Sequence, residues 1–182
     1  LNQSLLKGPV HIAVNGQVYP LGNKSGVHSG VKWIHHDNIA YLLPQAQDIS
    51  IENELASGSW WRISKQIDSS KSTEQKEGFK AWINHGVFPD RASYAYIVRP
   101  HTTLEELDDK DLVSSIEILS NSPYLQAVYD HGEKLLQVVF YKAGALEVQD
   151  GFVIKSAAPG IVMMALNDSG EFICCNDVGG NP

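Results

Sequence analysis

The sequence predicts an all-β protein of antiparallel sheets stacked as a sandwich, and three observations support this. Three hairpin signatures occur independently, strand-like runs recur with turn residues between them, and helical periodicity is nearly absent. The first hairpin is Val10 to Val14, the turn Asn15-Gly16, and Gln17 to Leu21. Asn-Gly favours the positive φ values that a two-residue hairpin turn needs. The second is Leu146 to Gln149, Asp150-Gly151, and Phe152 to Ile154; the third is Ile161 to Leu166, the turn Asn167-Asp168-Ser169-Gly170, and Phe172 to Cys175. Between them, strands are expected at Val31 to His35, Ile39 to Leu43, Ile49 to Glu52, Trp60 to Ser64, Phe79 to Asn84 and Tyr94 to Val98. Ser115 to Leu119, Leu125 to Tyr129 and Leu135 to Tyr141 complete the set. Only Thr103 to Leu112 mixes Leu and acids as a helix would, with Thr102 or Thr103 as N-cap, which predicts one or two turns bridging two domains. Asp68 to Gly78 is polar throughout and reads as a long exposed loop.

The 182 residues, 43% apolar and 19% charged, are enough for a packed core and too apolar for wholesale disorder. No run approaches the roughly 18 apolar residues of a membrane span, so no membrane partner is expected. No export signal is visible in Leu1 to Pro9, and the missing initiator Met predicts a mature or excised piece. Formal charge is −7, which argues against nucleic acid as a partner because phosphate binding needs a basic footprint. The charge is unevenly spread: residues 1 to 59 hold three basic and four acidic groups, 60 to 100 hold seven and four, and 101 to 182 hold four and thirteen. The step beside Arg99 and Pro100 places a domain boundary there, giving domains 1–100 and 101–182. The basic middle suits an anionic ligand.

Few motifs carry chemistry. Cys174 and Cys175 are adjacent, too close for an ordinary disulfide, and on a strand would face opposite ways. His35-His36-Asp37 invites a metal or acid-base reading, but strand alternation separates the two imidazoles; one His is expected near Trp33 and the other in a strand-end hydrogen bond. The seven histidines show no metal-ligand spacing, and neither a GxSxG elbow nor a GxGxxG cradle is present. No metal, no cofactor and no catalytic residue is assigned. Gly58-Ser59-Trp60-Trp61-Arg62 is richer, because adjacent indoles on a strand place one inward and one outward. An exposed indole stacks on sugar rings, and Arg62 or Lys65 can pair with a uronate carboxylate. Trp60, Trp61, Arg62 and Lys65 are therefore the candidate substrate-binding residues, against the plainer alternative that both indoles are buried. His85-Gly86 reads as a turn at a sheet edge.

Several phrases occur together: Trp33-Ile34-His35-His36-Asp37-Asn38-Ile39-Ala40-Tyr41-Leu42, Gly58-Ser59-Trp60, His85-Gly86 with Pro89, and Tyr94-Ala95-Tyr96-Ile97-Val98-Arg99-Pro100. In order and spacing they resemble polysaccharide lyase family 8, the chondroitin AC, hyaluronate and xanthan lyases. The later stretch, with Ile116 to Asn121 and Gln126-Ala127-Val128, is similar to that family's small C-terminal sandwich. One departure is Arg62-Ile63-Ser64-Lys65, where the family pattern usually carries Ile-Asn. The resemblance implies an antiparallel multi-sheet β-sandwich, the end of a central supersandwich, followed by a smaller antiparallel β-sandwich. It further implies a missing N-terminal helical domain that bears the catalytic groups, an acidic polysaccharide as substrate, and an extracellular or periplasmic setting. This chain would then supply scaffold and one wall of the cleft. The alternative is a non-catalytic carbohydrate-binding module.

Overall fold

The structure, a computed structural model, describes residues 2–22, 25–108, 113–148, 151–167 and 172–174. The chain forms two compact units, residues 1–109 and 110–182. In the first, β1 (Asn2–Leu5), β2 (His11–Val14), β3 (Gln17–Pro20), β4 (Gly26–His36), β5 (Ile39–Gly58), β6 (Glu74–Ile83) and β7 (Ile97–Pro100) form one sheet. Its order is β1-β6-β5-β4-β2-β3, with β7 also on β5, and every pairing is antiparallel. Arg99 and Pro100, beside the charge step, lie in β7 of this first unit.

Two turns set the register. Asn15 and Gly16 have φ of 51° and 77°, as the Asn-Gly signature requires, and join β2 to β3. Asp37 and Asn38, at 51° and 59°, make an equivalent turn between β4 and β5. β5 runs for 20 residues and changes partners along one edge, pairing with β7 over Ile39–Leu42 and with β6 over Ile49–Gly58. Pro44 falls between these two ladders, where its missing N–H breaks no bond, so the two strands expected at 39–43 and 49–52 are one bent strand. The core on one face comprises Val10, Ile12, Leu21, Val31, Ile34, Tyr41, Leu43, Ile49, Ile51, Phe79 and Ala81. Trp33, Ala40 and Leu42, of opposite parity, are buried on the other side.

In the second unit β8 (Ile116–Asn121), β9 (Leu125–Asp130), β10 (Leu135–Phe140), β13 (Gly160–Leu166) and β14 (Phe172–Cys174) form a sheet ordered β14-β13-β10-β9-β8. A separate hairpin, β11 (Gly144–Glu147) with β12 (Val153–Ser156), sends Leu146 and Ile154 onto the sheet residues Ala127, Tyr129, Leu136, Val138 and Phe140. The result is the smaller antiparallel sandwich. Asp150 and residues 168–170 of the two expected turns lie outside the described residues, as does Cys175; of Cys174 only the backbone is described.

Three expectations fail. Trp60 to Ser64 is not a strand: Trp60–Ile63 is a single helical turn, α1, entered through extended Ser59. The polar segment is a loop only as far as Thr73, because β6 begins at Glu74 and its ladder with β5 runs out to Gly58↔Glu74. Here strand pairing outlasts the core, leaving both faces exposed and removing the alternation a sequence reading depends on. The Tyr94 to Val98 strand is displaced to β7, which pairs across from Ile39–Leu42. Of the one or two turns expected over Thr103 to Leu112, a short 3-10 turn, Glu105–Asp108, is described, in which the Glu106 carboxylate accepts from the Thr103 N–H at 2.7 Å; residues 109–112 lie outside the described residues. Among the described residues no helix is long and apolar enough to cross a membrane.

Candidate functional site

The loop joining β5 to β6 is pinned at its middle. The Trp61 N–H donates to the Ser70 carbonyl at 3.0 Å, while the Arg62 N–H to Ser59 and the Ser64 N–H to Trp60 close the α1 turn at 3.0 and 2.9 Å. A helical turn spaces its side chains about 100° apart, so Trp60 and Trp61 diverge by rotation and not by strand alternation. Trp60 is 58% exposed. Trp61 is half-buried, with the Lys71 ammonium 4.7 Å above its ring, a cation–π contact.

Trp60 and Arg62 line a recess of about 470 Å³ with Ile63, Glu74, Lys76 and the backbone turn at Gly58 and Ser59. Of the four candidates the structure therefore brings two together; Trp61 and Lys65 sit outside the recess lining. Lys76, which the sequence reading missed, joins because Ala56↔Lys76 are partners in the β5–β6 ladder. Its signal was hidden in the supposed loop. Residues 56–76 hold four cations, Arg62, Lys65, Lys71 and Lys76, against Asp68 and Glu74. No ion pair engages any of these cations among the described residues, whereas Lys80 is held by both Glu52, at 3.2 Å, and Glu54. A flat exposed indole beside uncompensated positive charge can stack on a sugar ring and attract an acid group on the same molecule.

His35 and His36 are both buried and both structural. Their side chains point to opposite faces, as alternation requires. The His35 Nε2–H donates to the Thr102 carbonyl at 2.7 Å, and the Thr102 N–H donates to the Asn38 carbonyl at 3.0 Å, tying the end of β7 to the β4–β5 turn. His36 Nε2 accepts from the Lys7 N–H at 3.0 Å and its ring lies 4.6 Å from that of Phe79. Accepting at Nε2 requires the neutral ring, and burial lowers the His36 pKa, opposed by the neighbouring Asp37 carboxylate. Asp37 itself occupies the turn and pairs with the Lys7 ammonium at 3.5 Å. The triplet therefore closes a sheet corner. Among the described residues no group of three His, Cys, Asp or Glu is placed to hold a metal ion.

Comparison with known proteins gives this geometry a setting. The model of the polysaccharide lyase family 8 super-sandwich domain matches residues 1–111, and that of the family 8 C-terminal β-sandwich domain matches 117–175. Chondroitinase-AC of Pedobacter heparinus is 35% identical over 164 residues, 90% of this chain and 23% of that protein. Xanthan lyase of Bacillus sp. strain GL1 is 26% identical over 107 residues, 55% of this chain and 12% of that protein. A solved chondroitinase AC lyase, studied as oligosaccharide complexes, superposes with a TM-score of 0.80 at 32% identity, covering 95% of this chain and 25% of the other. The chain thus spans about a quarter or less of the length of these relatives. With both domain models matched in order along one all-β chain, the protein belongs to polysaccharide lyase family 8.

Proposed function

We propose that this chain is the β-sandwich portion of a lyase that cleaves a uronate-containing polysaccharide, such as chondroitin or hyaluronan, by β-elimination, and that it supplies scaffold and a wall of the substrate cleft. In such a reaction a base removes the proton α to the uronate carboxylate, the β C–O bond breaks, and an acid protonates the leaving oxygen, giving an unsaturated sugar. The carboxylate must also be neutralised while the carbanion develops. No residue of this chain is assigned to those roles; they fall to a helical domain N-terminal to it. The setting is extracellular or periplasmic, where such polymers are found.

The observation that carries this reading is the 35% identity to a chondroitinase over 90% of the chain. The recess at Trp60 and Arg62 supports the substrate class, since it pairs an exposed indole with positive charge. The test is to incubate the chain alone with chondroitin and with hyaluronan, following absorbance of the unsaturated uronate and, separately, binding. Binding without turnover is expected. Sustained turnover by the isolated chain would place the reactive groups here and overturn the scaffold role. Exposure of Trp60 also favours a second reading, a carbohydrate-binding module acting without catalysis. Joining the chain to its upstream polypeptide separates the two: elimination then follows only under the first.

A further inference from the structure

The five-stranded sheet of the second unit carries apolar side chains on its outer face as well as its inner one. Its inner face meets the β11–β12 hairpin; its outer face carries Val139, Ile161 and Met163, and Ile161 is 72% exposed. A one-sided antiparallel sheet ordinarily alternates to polar residues on its open face, so this departure needs a reason. The outer face is a shallow groove of about 330 Å³, lined also by the amides of Gln126 and Gln137, and none of its lining residues is charged.

Register extends the groove to a pair of aromatic rings. Leu125 pairs with Phe140, and the Tyr141 N–H donates to the Tyr124 carbonyl at 2.9 Å, so Tyr124 and Tyr141 stand opposite each other one step beyond the ladder. By strand alternation they share the face of Gln126 and Val139. The Tyr141 hydroxyl donates to Gln126 Oε1 at 3.0 Å, joining ring and groove directly. Both rings are exposed, at 56% and 52%, and the Lys142 ammonium lies 3.4 Å over the Tyr124 ring. From Tyr124 to Val128 the strip runs about 13 Å at ~3.3 Å per residue.

We propose that this strip is a second saccharide site, separate from the Trp60 recess, that takes an uncharged pyranose oligomer. Exposed tyrosine rings and apolar groove walls match the C–H faces of pyranose rings, and two amides with a phenol match hydroxyl or acetamido groups. The groove lining is neutral and the Lys142 ammonium is engaged on the Tyr124 ring, so the groove itself offers no cation for a uronate to pair with, which favours an uncharged sugar. The site would retain the protein on neutral glycan without taking part in cleavage.

The test is calorimetric or NMR titration of the full chain with β-1,4 oligomers of glucose and of N-acetylglucosamine, with chondroitin as the acidic comparison. Binding of a neutral oligomer that weakens about tenfold in Tyr141→Ala is expected. Tyr141→Phe, which keeps the ring and removes only the bond to Gln126, should retain most of it. The proposal is overturned if neither neutral oligomer binds. It is equally overturned if Trp60→Ala abolishes the signal, which would put binding in the recess, or if Tyr141→Ala leaves it unchanged. Loss of chondroitin binding alone would bear on the proposed function of the first unit and not on this site.

Discussion

Phe79 offers a direct measure of how the first unit is held together. Its side chain is wholly buried, it sits in β6 among the core aliphatics, and its ring lies against His36. A Phe buries about 150–250 Å², which at ~25 cal/mol per Å² is about 4–6 kcal/mol. Ala keeps the β-carbon, and the surrounding strands cannot collapse fully into the gap, so Phe79→Ala should cost about 3–5 kcal/mol. All four tryptophans, Trp33, Trp60, Trp61 and Trp82, belong to residues 1–109, so Trp fluorescence reports this unit selectively. With a urea slope of about 1–3 kcal/mol per M, the midpoint should fall by at least ~1 M. Phe79→Leu should lie between the two. A Phe79→Ala loss below about 1 kcal/mol would mean that β6 is not part of a continuous core, and the packing argument would fail.

Three further outcomes follow from individual contacts. Burial lowers the pKa of His11, His28 and His36 below the ordinary 6.5, so below about pH 6.5 the unfolded chain binds protons the native state refuses. Stability should therefore be full above that pH and decline as pH falls through it, seen as a lower urea midpoint at pH 5 than at pH 7; an unchanged midpoint would contradict the buried neutral rings. Gly16→Val places a β-branched residue at φ 77° in the β2–β3 turn and should destabilise by more than about 1 kcal/mol by thermal denaturation, because L residues resist that region. Trp60→Ala should leave stability within about 0.5 kcal/mol while weakening chondroitin binding, a combination that calorimetry and a melting curve check together.

The fold was legible where side-chain chemistry and backbone demand coincide. Asn15-Gly16 declared its turn because positive φ is costly for most residues, and Leu135–Phe140 declared a strand as a short apolar run rich in β-branched and aromatic residues. The failures share a cause. Glu74 to Glu77 form a strand through backbone pairing alone, with no apolar face to betray it, and Trp60-Trp61-Arg62-Ile63 mimic a strand while forming a turn that caps that ladder. Half of the candidate site was visible, since aromatic and basic residues could be named. Their convergence with Lys76 depended on a register that no local pattern encodes. Asp37 was misleading in the opposite sense: next to two histidines it suggests chemistry, yet its φ of 51° shows a residue chosen for a turn.

Salt dependence can separate the two forces assigned to the recess. A net charge of −7 would repel a polyanion if the whole chain acted at once, but at ~0.15 M ionic strength charges act over only about 8 Å, so a bound sugar responds chiefly to the charges that line the recess, Arg62 and Lys76 against Glu74. At ~0.01 M the Debye length grows to about 30 Å and more distant carboxylates enter the field, which blunts the gain from low salt. Affinity for chondroitin should still fall between physiological and ~1 M salt, where the length is about 3 Å and the Arg62 and Lys76 attractions are screened. Arg62→Ala with Lys76→Ala should flatten that dependence. Trp60→Ala removes stacking, which salt scarcely touches, and should lower affinity by a similar factor at every salt concentration. If both sets of variants changed the salt slope equally, indole and cations would not be acting as separate recognition elements, and the division of labour read from the recess would be wrong.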